Sequence, residues 1–222
     1  MLDFNKFNLY LIRHGQTAVN AKGDTVGQTA ESPLTEHGRL QAQLLGERLA
    51  YKDLVTFDKV FSSSYVRAYD TAKIATGNNQ TIVPAYELRE YGAGDWVGGK
   101  RNELYNVPNL LRMAAMTNAF QPPNGESMHM VERRASAWLE DNVLYNKLVQ
   151  EEATRRQAQK LPPQNIFVFS HGMTIKCLLH YIMGFDQSFT WKITLENTSI
   201  SKLYFDEKGW RLLTINDHAH LL

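Results

Sequence analysis

The chain has 222 residues, a length that fits one large domain at about 100–200 residues per domain. Its 24 Lys and Arg against 23 Asp and Glu leave a net charge of +1, which excludes a general nucleic-acid coat with its clear basic excess. Hydrophobic residues make up 43% and charged residues 21%, enough to build a core, and the single cysteine, Cys177, excludes both an intramolecular disulfide framework and a multi-cysteine zinc site.

The first residues, MLDFNKFNLYLIRHG, carry no apolar leader core or small-residue cleavage site, and no apolar run approaches the 18 residues of a membrane span. The expectation is a soluble, cytoplasmic protein with no membrane or nucleic-acid partner.

In chain order, residues 7–13 (FNLYLIR) are a short apolar run and read as a buried strand. Residues 35–50 open on Thr35, an N-cap type, and continue with Leu40, Leu44, Leu45 and Leu49 at helical spacing. Residues 57–62 read as a second strand. Residues 64–76 place Tyr65, Ala68, Ala72 and Ala75 on one helical face, and residues 81–84 suit a third strand. The glycine-rich stretch 88–99 is a loop. Residues 100–122 show helical Leu and Met spacing before a Pro122-Pro123 break. One long helix is expected from Ser127 toward Gln159, with Val131, Ala135, Trp138, Leu139 and Val143 inward and its polar end, QEEATRRQAQK, projecting into solvent. Residues 165–170 form a strand and 172–183 a helix. Residues 198–205 and 210–215 pair as a terminal hairpin turning at 206–209.

Strands alternating with helices imply an α/β fold, a three-layer α/β/α sandwich with a mostly parallel central sheet and helices on both faces. No linker or composition shift divides the chain. Residues 1–222 therefore read as one domain, with about 92–128 inserted as a lid over the C-terminal ends of the strands.

Two distant segments share one pattern. Residues 8–17 (NLYLIRHGQT) and 165–174 (NIFVFSHGMT) each run Asn, four apolar residues, one polar residue, then His-Gly-x-Thr. Each places a histidine where an apolar strand ends, before a glycine that permits a sharp turn. In an open α/β sheet, ligands bind outside the carboxyl ends of the strands. If the strands are neighbours, His14 and His171 meet there; read singly, each is more readily a core histidine. Arg13 precedes His14, and Arg67 follows the second strand at a helix start. Two guanidinium forks and two imidazoles in one crevice suit a phosphoryl group. Helix N-termini near Ser64 and Gly172 would add backbone N–H donors. His37, His129 and His180 read as surface or helix-face residues, Asp95 as a loop cap, Trp96 as packing under the loop and Cys177 as core. Glu126 is open between a helix N-terminal charge and a pocket role.

These residues together resemble the histidine phosphatase superfamily, with its phosphoglycerate mutase-like fold. LIRHGQT is similar to its Arg-His-Gly signature and SSSYVRAYDTA to its Ser-x-x-x-Arg-Ala motif. SPLTEHGRLQAQLLGERL, LREYGAGDWVGG, NGES at 124–127, FSHGMT at 169–174 and NDHAHL at 216–221 fit in order, over nearly the whole chain. The resemblance implies that His14 is the nucleophile and becomes phosphohistidine, and that Arg13, Arg67 and His171 hold the phosphoryl oxygens. It implies Glu90 as proton donor. It places Asn20, Thr17, Gln28, Thr174 and Gly172 at the substrate, and it needs neither metal nor cofactor. Gln16 departs from the Glu that many relatives carry.

Three activities fit: a phosphatase for small phosphomonoesters, a phosphoglycerate mutase-type transfer, or a non-catalytic phospho-ligand module. The intact set Arg13, His14, Arg67, Glu90 and His171 argues against the last. The loop LREYGAGDWVGG and NGES resemble the phosphatase branch, so a small phosphorylated metabolite is the expected partner. Arg101, Arg112, Arg133 and Arg134 are the cations available for a second anion. The terminal hairpin and residues 100–122 are the candidate homodimer surfaces.

Overall fold

The structure is a computed structural model and describes residues 6–23, 27, 29–77, 80–186 and 188–222. Six strands, β1 (Phe7–Arg13), β2 (Lys59–Ser63), β3 (Ile82–Ala85), β4 (Gln164–Ser170), β5 (Ile200–Asp206) and β6 (Gly209–Asp217), form one sheet in the order β3-β2-β4-β1-β5-β6. The pairings β3–β2, β2–β4 and β4–β1 are parallel, and the hairpin β5–β6 adds to β1 antiparallel. Pro84 lies in β3, at the sheet edge, where a missing N–H donor is tolerated.

The two look-alike segments are neighbours. Asn8 pairs with Asn165, Leu11 with Val168 and Arg13 with Ser170, so the shared pattern runs in step across β1 and β4. Asn8 Nδ2 donates to Asn165 Oδ1 at 2.9 Å, at the end of the strands away from the histidines.

The helices among the described residues are α1 (Ala18–Lys22), α2 (Glu36–Glu47), α3 (Val66–Thr76), α4 (Arg101–Leu104), α5 (Val107–Met116), α6 (Met128–Leu139), α7 (Lys147–Ala158), α8 (Gly172–Met183) and α9 (Phe189–Lys192). Side chains alternate across each strand, and both faces are apolar, as a doubly covered sheet demands. Tyr10, Ile12, Phe167 and Phe169 pack on Leu45 of α2, Leu49 just beyond it, and Ala72 and Ala75 of α3. Leu9, Leu11, Ile166 and Val168 pack on Ala135, Trp138 and Leu139 of α6 and on Ile175, Leu178 and Leu179 of α8. Cys177 is buried beside Met128 and Val131.

The expected long helix from 127 to 159 is two helices. A π-helical turn, Glu140–Leu144, ends α6, and Asn146 restarts the chain by accepting from the Leu148 and Val149 amides. The polar end does not project into solvent. Val149 and Ala153 of α7 are buried, and Arg156 pairs with Glu152 and with Asp58, both within 2.7 Å. Asp58 in turn accepts from the Asn165 amide at 2.8 Å, which ties α7 to the start of β4. Few apolar residues suffice there because partly buried ion pairs tie the helix down as well.

Between β3 and α6, residues 93–120 gather round a small cluster of their own: Ala93, Trp96 and Phe120, with Leu104, Tyr105 and Met113 against them. Ala93, Trp96, Tyr105, Met113 and Phe120 of this segment share one cavity with Arg13 and His14 at the end of β1 and Gly172 after β4. Among the described residues no helix is long and apolar enough to cross a membrane.

Candidate active site

His14 follows β1 directly and is buried, with its ring centroid 5.1 Å from that of His171, which follows β4. Its Nδ1 lies 2.7 Å from its neighbour's carbonyl, Gly15 O, so Nδ1 carries the proton and Nε2 the lone pair. Arg67 Nε donates to that lone pair at 3.3 Å. Burial above all, then the charges of Arg13 and Arg67, hold the imidazole well below its ordinary range, so it stays neutral and nucleophilic.

The turn after His14 is fixed by close approach and not by a left-handed backbone. A Cβ on Gly15 would lie 2.5 Å from Gly38 O in α2. The Gly15 amide donates to Thr71 Oγ1 of α3, and Asn197 Nδ2 donates to the His14 carbonyl. Thr198, at φ 57, donates its amide to the Arg13 and His14 carbonyls, and its hydroxyl meets His220 Nε2 at 2.9 Å.

His171 Nε2 lies 2.7 Å from Ser63 Oγ, which also accepts from the Tyr65 amide. With the Ser63 hydroxyl donating to Nε2, the His171 proton stands on Nδ1. That nitrogen, Arg13 Nε and Arg67 Nη2 are buried and have no protein acceptor among the described residues. Arg13 is anchored by Nη1 to the Leu195 carbonyl and Arg67 by Nη1 to the Thr29 carbonyl. Burial lowers both arginines from their usual range, yet a guanidinium keeps its charge. Unpartnered buried donors are costly. Three of them from residues around one imidazole make a receptor for an anion.

Glu90 sits at the N-terminus of α8. Its Oε1 accepts from the Tyr91 and Thr174 amides and its Oε2 from the Met173 amide, at 2.9–3.3 Å. Two amides of this terminus, those of Met173 and Thr174, thus serve the Glu90 carboxylate, as does the helix dipole. The amides at the start of α3 are likewise taken, Tyr65 by Ser63 Oγ and Val66 by Ala30 O.

A cavity of about 630 Å³ opens beneath the 93–120 segment. Arg13, His14, Asn20, Glu90 and Gly172 line it, but Thr17 and Thr174 are not among its lining residues. Thr17 caps α1 and Asn20 caps it in return, the two forming a reciprocal pair that fixes the Asn20 amide. Thr174 Oγ1 donates to the Arg89 carbonyl, so it sets the loop that carries Glu90. Both threonines position a neighbour. Gln28 lies outside the described residues.

Other expectations divide. His37 and His129 are exposed, and His180 pairs with Glu132 at 2.6 Å. Asp95 accepts from Asn124 Nδ2 as a loop tie. Trp96 packs on Phe120 and also lines the cavity, so it does more than support the loop. Glu126 is no pocket acid: it accepts from the Gly92 amide and pairs with Arg134. Arg101 lines the cavity, whereas Arg112 lies over the Phe120 ring. Ser63, Lys176 and Asn197 were not singled out by sequence; Ser63 was legible as the serine four residues before Arg67.

An α/β sandwich that brings two histidines and two arginines to the carboxyl ends of adjacent parallel strands defines an anion-binding enzyme architecture. The model of the histidine phosphatase superfamily, branch 1, matches residues 9–218. A probable phosphoglycerate mutase, GpmB, of Yersinia pestis is 31% identical, with 96% of this chain and 94% of that protein covered. The mycobacterial glucosyl-3-phosphoglycerate phosphatase superposes with a TM-score of 0.77 at 26% identity, over 95% of this chain and 99% of the other. The phosphoserine phosphatase of Entamoeba histolytica, solved with 3-phosphoglyceric acid, superposes with a TM-score of 0.78 at 25% identity, over 97% and 100%. The chain belongs to the histidine phosphatase superfamily.

Proposed function

We propose that the protein is a phosphatase that hydrolyses small phosphomonoesters through a phosphohistidine on His14. The observation that carries this reading is the meeting of a neutral, lone-pair-bearing His14 Nε2 with unpartnered donors of Arg13, Arg67 and His171, where Arg13 and His14 line one cavity with Glu90.

The chemistry follows from those groups. The His14 Nε2 lone pair attacks phosphorus, and the P–O ester bond breaks in line. Glu90 gives a carboxyl proton to the leaving oxygen. Arg13, Arg67 and the His171 Nδ1–H hold the equatorial oxygens as their charge develops. The Glu90 carboxylate, steadied by the α8 amides, then takes a proton from water. The water oxygen attacks phosphorus, the P–N bond breaks, and neutral His14 and inorganic phosphate are released. The two guanidinium groups supply the positive charge, so turnover proceeds without added metal. Asn20 and Gly172 border the phosphoryl group.

A mutase reading has two supports: the name of the Yersinia relative, and the placement of Arg101 and Lys176 on the cavity wall, where a carboxylate could pair with them. Incubation with 3-phosphoglycerate, with and without 2,3-bisphosphoglycerate and in the presence of a chelator, separates the two. The phosphatase reading expects inorganic phosphate. Formation of 2-phosphoglycerate dependent on the bisphosphate would replace it with the mutase.

A further inference from the structure

The catalytic cavity continues outward. A second hollow of about 430 Å³ is lined by Arg101, Tyr105, Leu110, Met113, Ala114 and Trp191. Four of these, Arg101, Tyr105, Met113 and Trp191, also line the catalytic cavity, so the two form one groove. The chemistry changes along it. At the inner end stand Arg13, His14 and Glu90. At the outer end the walls are apolar or aromatic, and among the described residues Arg101 is the one charged lining residue and no carboxylate lines the hollow.

Two separate pieces of the chain build that end. Helix α5 contributes Leu110 and Met113 and has no buried residue, with Leu110 at 47% exposure. From the other side, Trp191 of α9 stands 53% exposed. An amphipathic helix and a tryptophan that leave apolar surface in water are unusual unless something covers them. The continuity with the phosphoryl site says what that is: the organic half of the substrate. A sugar phosphate would bring hydroxyl groups to walls with few acceptors, at a desolvation cost. An alkyl or aryl group would gain from burial.

We propose that this chain selects phosphomonoesters whose organic group is apolar and longer than a three-carbon sugar acid, with Trp191 and Met113 as the walls that determine specificity. The proposal rests on the phosphatase reading of the inner site and adds a substrate class to it.

Non-hydrolysable alkylphosphonates test it independently of turnover. Calorimetry should show hexylphosphonate binding at least about tenfold more tightly than ethylphosphonate, since each buried methylene is worth up to about 0.8 kcal/mol. In Trp191→Ala with Met113→Ala, that ratio should fall below about threefold. Leu110→Asp, at an exposed position that the fold does not depend on, should flatten it likewise. A wild-type ratio near one, or a ratio kept in both variants, overturns the apolar subsite. Failure of the phosphatase reading is a distinct result: chain-length-dependent binding with no phosphate released from any ester. Equal hydrolysis of ethyl and hexyl phosphate with flat affinities removes the subsite alone.

Discussion

Arg134 grips Glu126 with two prongs of its guanidinium, at 2.8 and 2.9 Å, behind the loop that carries Glu90. The same guanidinium donates to the carbonyls of Glu87 and Glu90, and Glu126 Oε2 accepts from the Gly92 amide. Burial pushes the Glu126 carboxyl up, but Arg134 and the Gly92 amide outweigh it and hold it below the usual carboxylate range. The pair thus encloses residues 87–92 from outside the cavity and sets where Glu90 stands.

Arg134→Ala should therefore act at a distance. It leaves a half-buried carboxylate without its partner, which costs about 2 kcal/mol in urea unfolding. It should also lower kcat several-fold, and more for alkyl than for aryl phosphates, because misplacing the proton donor hurts poor leaving groups most. A loss of stability with an unchanged leaving-group dependence would make the pair purely structural.

Glu90→Gln keeps the shape and the amide contacts through Oε1 but removes the proton. Alkyl phosphates should slow by about 100-fold or more, and a nitrophenyl ester, whose leaving oxygen needs little help, by far less. Equal slowing of both in steady-state assays would assign the proton to another group.

Acid should destabilise the fold earlier than carboxylates alone would. Burial is the largest cause holding His14, His171 and His220 below the ordinary imidazole range, with His220 at about 4. Each binds a proton more readily unfolded than folded. The unfolded chain therefore takes up more protons between about pH 6.5 and the folded values, and stability falls as pH drops through that window. At about 1.4 kcal/mol per unit, His220 alone accounts for about 3 kcal/mol between pH 6.5 and 4. Asp217, pulled down to about 2 by Arg48, works in a lower window: its contribution is present above about pH 4 and is lost toward 2. The urea midpoint should be flat above pH 7 and fall steadily from 6.5 to 4. A midpoint constant from 7.5 to 5 would contradict the burial of neutral histidines.

Gly15 and Gly38 admit no side chain. A Cβ on Gly15 would lie 2.5 Å from Gly38 O, and one on Gly38 would lie 2.2 Å from Gln16 O, backbone atoms in both cases. Gly15→Ala or Gly38→Ala should each cost about 2–3 kcal/mol, whereas His37→Ala, exposed on the same helix, should stay within about 0.5. Thermal unfolding of the three variants checks the ranking; a wild-type midpoint for Gly15→Ala would show that the approach of α2 relaxes.

Much of this was legible before the fold was known, for physical reasons that particular residues make plain. The doubled Asn…His-Gly-x-Thr segments are apolar enough to be central strands, and their in-step pairing follows from identical length and an Asn at each start. The break at Tyr145 was not legible, because Val143 and Val149 each fit a helical face and the cap at Asn146 interrupts no pattern. The anchoring of Arg156 through Asp58 depends on a contact between residues 98 positions apart, which no local periodicity records. In the site, the charged groups were readable from the motifs, and their geometry was not. That the α8 amides serve Glu90, that Thr17 and Thr174 hold neighbours, and that Lys176 and Asn197 face the cavity all depend on the packing of separate elements.

The central claim is that His14 becomes covalently phosphorylated. Mixing enzyme with a ³²P-labelled phosphomonoester and quenching within milliseconds in base should trap label on the protein, stable to alkali, lost in acid and located on His14. The same label should be absent in His14→Ala, together with turnover. Hydrolysis that proceeds with no trapped label at any quench time, or that survives His14→Ala, would contradict the account.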